Sequence, residues 1–265
     1  MIVKNELSKI WNRHKKEVHF PKIIHERNYC FCENYEKKEL LVLGLNPSFG
    51  KGAKNVAVKY RFANKLRAVE KLNSEQHYFN RIHSLLRNFG TIEEIDTKVA
   101  YADLFYYRTK KQKKYLNFFL DHIDGITFLQ DQLRVTQHLI ENVIQPRVIV
   151  ASSWETMLFL GLFGTEGPSC WLGYELELVK HTESGNRVYE IKGIVNDITL
   201  SDQFATKTNL VGTQIICYPD LFENESQPQD YKLLSKEVYS EVNGWILGRI
   251  SNELLEKIKS IFERK

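Results

Sequence analysis

The sequence predicts an α/β protein of three layers, α/β/α, with a central four-stranded parallel sheet, a β-hairpin insert and C-terminal helices. Three observations predict it. Four short apolar runs rich in β-branched residues recur along the chain, as buried parallel strands do. Helix-length segments with apolar residues at three- and four-residue spacing separate the first three runs. Before the fourth run, two β-like stretches meet at Ser-Gly-Asn, which reads as a hairpin. The order β-α-β-α-β-α-(insert)-β-α belongs to an open parallel sheet covered by helices on both faces.

In chain order, the first strand is "ELLVLGL" (39–45). A crossover helix follows within "NKLRAVEKLNSEQHYFNRIHSLLRNFG", where Tyr78, Ile82, Leu85, Leu86 and Phe89 form the apolar stripe and Gly90 closes it. The second strand is "KVAYADLF" (98–105). The next helix, in "ITFLQDQLRVTQHLIENVIQP", carries Phe128, Leu129, Leu133, Leu139, Ile140 and Val143 on one stripe, and Pro146 stops it. The third strand, "RVIVASS" (147–153), leads into "SSWETMLFLGLFG", a helix opened by a capping serine. The hairpin is "YELELVKHTESGNRVYEIKGI", and the fourth strand is "TQIICYP" (213–219). The remainder, "YKLLSKEVYSEVNGWILGRISNELLEKIKSIFERK", is helical in period with a break expected at Asn243-Gly244.

Composition sets the limits on function. With 265 residues, 43% of them hydrophobic, and no linker in sight, the chain reads as one domain over 1–265. It holds no run of about 18 uncharged apolar residues, and charges interrupt the start where a signal peptide needs an apolar stretch. The expectation is a cytoplasmic protein with no membrane partner. A net charge of +4 and a pI near 8.7 permit nucleic-acid binding without implying it. Cys30, Cys32, Cys170 and Cys217 are too few and too scattered for a disulfide framework. The Cys-x-Cys spacing is tighter than paired metal ligands usually show, so neither a metal nor another cofactor is expected.

In an open α/β sheet, ligands bind beyond the carboxyl ends of the strands. The first strand ends in Gly44-Leu45-Asn46-Pro47-Ser48-Phe49. Gly44 lets backbone approach a ligand, Pro47 stiffens the corner, and Asn46 carries a donor and an acceptor on a short stem. Asn-Pro-Ser is equally ordinary turn chemistry.

"VLGLNPSFG" resembles the first motif of the uracil-DNA glycosylase superfamily, closest to its Gly-x-Asn-Pro-Gly branches. The strand spacing, the polar end of strand two in "YADLFYYR", the helix directly after strand three and the hairpin before a fourth strand ending in x-Pro extend the resemblance over residues 38 to about 222. Such enzymes serve DNA repair by base excision: they flip a nucleotide out, stack its base, read its edge and help water attack the sugar carbon. The resemblance implies that Asn46 positions that water, and that Gly44 and Leu45 offer backbone groups to the base beside Pro47 and Ser48. It also implies a stacking ring, Phe49 by preference or Phe62.

Two positions depart from the family pattern. Asp103 stands where an Asn commonly reads uracil, and an ionised Asp only accepts hydrogen bonds, so it would repel a uracil carbonyl. Tyr218, in "CYPDLF", stands where a histidine stabilises the departing base anion, and its hydroxyl would be the side-chain donor left to that anion, on a longer ring that puts the oxygen elsewhere. Loss of one such donor typically costs about a hundredfold to a thousandfold in rate.

The segment "YYRTKKQKKY" follows strand two, with Arg108, Lys110, Lys111, Lys113 and Lys114 interleaved with Tyr106, Tyr107 and Tyr115. At the ligand-facing rim it would contact phosphates and stack on unpaired bases, which makes DNA, in single-stranded form among others, the expected partner. Three functions remain open. The first is a base-excision hydrolase of altered base preference, the second a catalytically silent nucleic-acid-binding protein of the same fold, and the third an unrelated α/β enzyme acting on a nucleotide or small ligand.

Overall fold

The computed structural model of the chain describes residues 2–17, 19–33, 35–50, 53–70, 78–195, 207–218 and 233–243. Its strands are β1 (Cys30–Cys32), β2 (Leu40–Gly44), β3 (Val58–Tyr60), β4 (Val99–Asp103), β5 (Val148–Ala151), β6 (Tyr174–His181), β7 (Arg187–Ile194) and β8 (Gln214–Cys217). Its helices are α1 (Ile2–His14), α2 (Lys22–Arg27), α3 (Phe62–Glu70), α4 (Tyr78–Leu86), α5 (Ile92–Lys98), α6 (Gln112–Leu120), α7 (Ile123–Leu139), α8 (Trp154–Leu160) and α9 (233–243).

The main sheet runs β4-β2-β5-β8-β7-β6. Its first four strands are mutually parallel and are the four read from the apolar runs. They pair because β2, β4 and β5 are buried at every position, so both faces must be covered and crossover helices must do the covering. Alternation divides the faces. Leu41, Leu43, Ala100, Ala102, Ile149, Ala151 and Ile215 pack with residues of α1, α7 and α8. Leu40, Val42, Val99, Tyr101, Val148, Val150 and Ile216 pack under α3, α4, α5 and α9. The hairpin β6–β7 adds to the sheet through an antiparallel β7–β8 pairing, so the sheet has six strands.

Several elements differ from expectation. The first crossover includes a further helix, α5, after the helical stretch read from the sequence, of which α3 and α4 are the described parts and 71–77 lie outside the described residues. Gly90 does close the α4 segment, at φ 102°, after a 3₁₀ turn. Thr91 and Glu94 then form a reciprocal capping box that starts α5. Helix α7 ends in a π turn over Ile140–Ile144, closed by Gln145 in the left-handed region before Pro146 is reached. The N-terminal helices and the two-stranded β1–β3 sheet had no counterpart in the sequence reading. The expected break at Asn243-Gly244 falls at the edge of the described residues, and 244–265 lie outside them.

Candidate functional site

Strand order sets the location. The chain runs from β2 out to β4, then returns across β2 to β5, so the order reverses between β2 and β5, and ligands bind at the carboxyl end of such a point. Gly44 pairs with Asp103, Leu43 with Ala151, and Ala151 with Cys217. One residue further, Ser152 N donates to Leu43 O and Tyr218 N to Ala151 O, continuing the ladder. Asp103, Gly44, Ser152 and Tyr218 therefore form one row across the carboxyl edge, on the face of Val42 and Tyr101.

Asp103 is 5% exposed. Tyr101 OH donates to its Oδ1 at 2.8 Å, the Tyr101 and Tyr78 hydroxyls lie 3.4 Å apart, and Tyr78 hydrogen-bonds Ser152. A Cβ on Gly44 would collide with Asp103 Oδ1, Tyr101 OH and Tyr78 OH. Gly44 thus makes room for this network, and the space expected to admit a ligand against its backbone is filled by the protein's own groups. Burial pushes the Asp103 carboxyl up to about 7, against the downward pull of the Tyr101 hydroxyl. Burial thus favours the protonated form, which donates as well as accepts, over the ionised, accept-only Asp103 expected from the sequence.

Asn46 sits just past the strand. Beyond β2 and β4 the pairing continues, with Leu104 N to Gly44 O, Phe105 N to Leu45 O and Thr109 N to Pro47 O. This clamps the motif against residues 104–109. Asn46 Nδ2 donates to Pro47 O at 3.1 Å, Tyr107 O at 3.3 Å and Thr109 O at 3.4 Å. Three carbonyls on one side fix which end of the amide is the NH₂. The other end, Oδ1, is buried without a hydrogen-bond partner. Leu45 is core, Pro47 half-buried and Ser48 exposed.

Of the two candidate stacking rings, Phe49 is partly exposed, with the Arg27 and Arg108 guanidiniums 4.7 and 4.9 Å from its centroid. Phe62 is 4% exposed and stacks on Tyr101, with centroids 5.4 Å apart and an interplanar angle of 17°, so its face is taken by the core. The position of Tyr218 fits the row, but its hydroxyl donates to Glu237 Oε2 at 3.2 Å. The same carboxylate receives Ser184 N at 2.6 Å and Ser184 Oγ at 2.7 Å. Tyr218 is 2% exposed and held in a clasp between α9 and the hairpin tip, which engages the hydroxyl expected to donate to a base anion.

The basic segment divides in two. Lys110, Lys111, Lys113 and Lys114 are exposed around the first turn of α6. Arg108 is buried and its Nη1 donates to Arg27 O, Lys54 O and Val56 O, so it braces loops beside the exposed lysines. Tyr106 and Tyr107 are buried as well, and only Tyr115 is partly exposed. The cysteines are free and buried, with the thiols of Cys30, Cys32 and Cys170 pushed up to about 12 by burial. Among the described residues, no group of three or more His, Cys, Asp or Glu side chains is placed to hold a metal ion, and no helix is long and apolar enough to cross a membrane.

Sequence reasoning missed Tyr78, Tyr101, Ser152 and Glu237. Tyr101 had a signal, since it lies two residues before Asp103 on the same strand face. Tyr78 and Glu237 had none, because they reach the row from distant helices. No protein-family model, curated protein or solved structure matches the chain.

Proposed function

We propose that the protein is a DNA base-excision glycosylase, hydrolysing the N-glycosidic bond of a flipped base at the carboxyl edge of β2 and β4. The observation that carries this reading is Asn46. Its amide is fixed by three carbonyls, and its buried Oδ1 is left without a partner. A buried acceptor without a partner costs about 1–3 kcal/mol, a cost that an attacking water or a substrate group would relieve on binding there. A water held by a fixed acceptor is oriented for attack without any pKa adjustment of the amide. Phe49 supplies a ring for stacking beside it, and the lysines at α6 supply phosphate contacts. Because Tyr218 is tied to Glu237, uracil release is expected to be slow.

The test is single-turnover base release from single-stranded oligonucleotides carrying uracil, hypoxanthine or xanthine. Slow release that drops by at least about a hundredfold in Asn46→Ala is expected. Release undiminished in that variant would take Asn46 out of the chemistry.

One observation favours a second reading, a catalytically silent nucleic-acid-binding protein of the same fold. The space over Gly44 is filled by the Asp103 carboxyl and two tyrosine hydroxyls, so an entering base must displace them. Under this reading oligonucleotides bind, no base is released, and Asn46→Ala leaves the affinity unchanged.

A further inference from the structure

Resting on the glycosylase reading, we infer that Asp103 is the general acid of the site, handing its proton to a ring carbonyl oxygen of the departing base. The geometry selects it. Oδ1 accepts from Tyr101 OH at 2.8 Å, which places a carboxyl proton on Oδ2, the oxygen without a hydrogen bond among the described residues. Gly44, with no Cβ, leaves the carboxyl its place at the end of the row. The row's two hydroxyls are engaged, Tyr218 with Glu237 and Ser152 with Tyr78. A carboxyl proton in that row would discharge the leaving base directly, where an anion would need hydrogen-bond donors.

The surroundings keep that proton available. The ionisable groups acting on or acted on by Asp103 are Tyr101 of β4, Tyr78 of α4, Tyr60 of β3, Cys30 and Cys32 of β1, Tyr35 and Tyr106. Burial raises every one of these phenols and thiols, so all are neutral near pH 7. Arg108 and Lys65 act on Cys30, and neither is among the causes that shift Asp103. With the carboxyl near 7, acid and carboxylate forms are both populated at neutral pH, the condition for efficient general acid–base work.

The step balances. Water oxygen bonds to the sugar C1′ as the C1′–N bond breaks, its electron pair passing to the base. The Asp103 Oδ2–H bond breaks and the proton goes to the base carbonyl oxygen, so the base leaves as a neutral enol tautomer. The proton lost by the attacking water returns to the Asp103 carboxylate through solvent.

The experiment measures single-turnover base release between about pH 5.5 and about pH 9 for the parent protein and Asp103→Asn, which keeps a donor and an acceptor but has no proton to give. Oligonucleotides carry uracil or 5-fluorouracil, whose base leaves readily as an anion. Expected are a parent rate that falls as pH rises through about 7, and an Asp103→Asn rate at least about a hundredfold lower with no pH dependence. The deficit of Asp103→Asn should shrink to within about tenfold on 5-fluorouracil, because a good leaving group needs no acid. A flat parent profile, an Asp103→Asn rate equal to the parent's, or an equal deficit on both bases overturns the assignment and leaves the role of Asn46 standing. No release of either base by the parent overturns both.

Discussion

At the scale of single residues, Asp103 links the site to stability. Its carboxyl is buried without a cation partner among the described residues, so the folded protein holds a proton that the unfolded chain releases between about pH 4 and about pH 7. Folded-state affinity for the proton is raised, so the stabilising contribution is full below the ordinary carboxylate value and is lost as pH rises through about 7. Urea denaturation near pH 5 and near pH 8.5 should show the parent losing up to roughly 2.7 kcal/mol more than Asp103→Asn across that interval, about 1.4 kcal/mol for each pH unit up to about 7. Equal losses in the two proteins would mean that Asp103 is ionised throughout. Asn46 was legible from the sequence because its position follows from one strand and one turn. The state of Asp103 was not, because it depends on burial that only the folded chain brings about at the end of β4. Phe62 was misassigned for a related reason: nothing local to "YRFANK" announces that Tyr101 covers its ring.

At the scale of elements, the lysines around α6 stand against local electrostatics. A helix N-terminus carries partial positive charge, and four lysines at 110, 111, 113 and 114 crowd the first turn of α6, whose N-cap residue makes no side-chain cap bond. Such an arrangement weakens the helix by a few tenths of a kcal/mol per charge and fits a surface kept for anions. Replacing all four by Ala should weaken binding of single-stranded DNA and reduce the slope of log K against log salt by up to about 0.7 per lysine, with no loss of thermal stability. A slope unchanged by the substitutions takes this helix end out of the interface. At the opposite edge of the sheet, β6 is exposed along most of its length but carries register irregularities at Glu175/Leu176 and Leu178/Lys180 and interspersed charges, devices that discourage edge pairing. The four parallel strands could be read from sequence because burial on both faces makes them continuous apolar runs. Strands β1 and β3, three residues each, are too short to carry a period.

At the scale of the whole molecule, one buried cluster ties the N-terminal helix to the body. His14 is fully buried at the end of α1, with Nδ1 2.6 Å from Glu17 Oε2 and Nε2 2.9 Å from Asp131 Oδ2 on α7. Arg13 and Arg134 reach the same Asp131 carboxylate at 2.7 and 2.9 Å. Burial alone would lower the His14 imidazolium, but the bonds to Asp131 and Glu17 outweigh it and hold its pKa above the usual 6.5. The stabilisation is therefore full below about pH 6.5 and is lost as pH rises through the raised folded value. His14→Ala should cost about 3 kcal/mol near pH 6 and clearly less near pH 9, read as the difference from the parent in urea melts so that Asp103 cancels. The same cost at both values would make the cluster a matter of packing alone.

The claim on which the functional account depends is that nucleic acid meets the carboxyl edge of β2 and β4. It is tested most directly by titrating isotope-labelled protein with a uracil-containing single-stranded oligonucleotide and following the NMR signals. The account predicts the largest changes at the Asn46 side-chain amide, at Gly44 and Asp103, and at Lys110 and Lys111. A cavity of about 360 Å³ opens away from that edge, beside the start of β4, and is lined by Lys38, Arg61 and Asp96 among others. Changes confined to that cavity, or no change at Asn46 at saturating oligonucleotide, would contradict it.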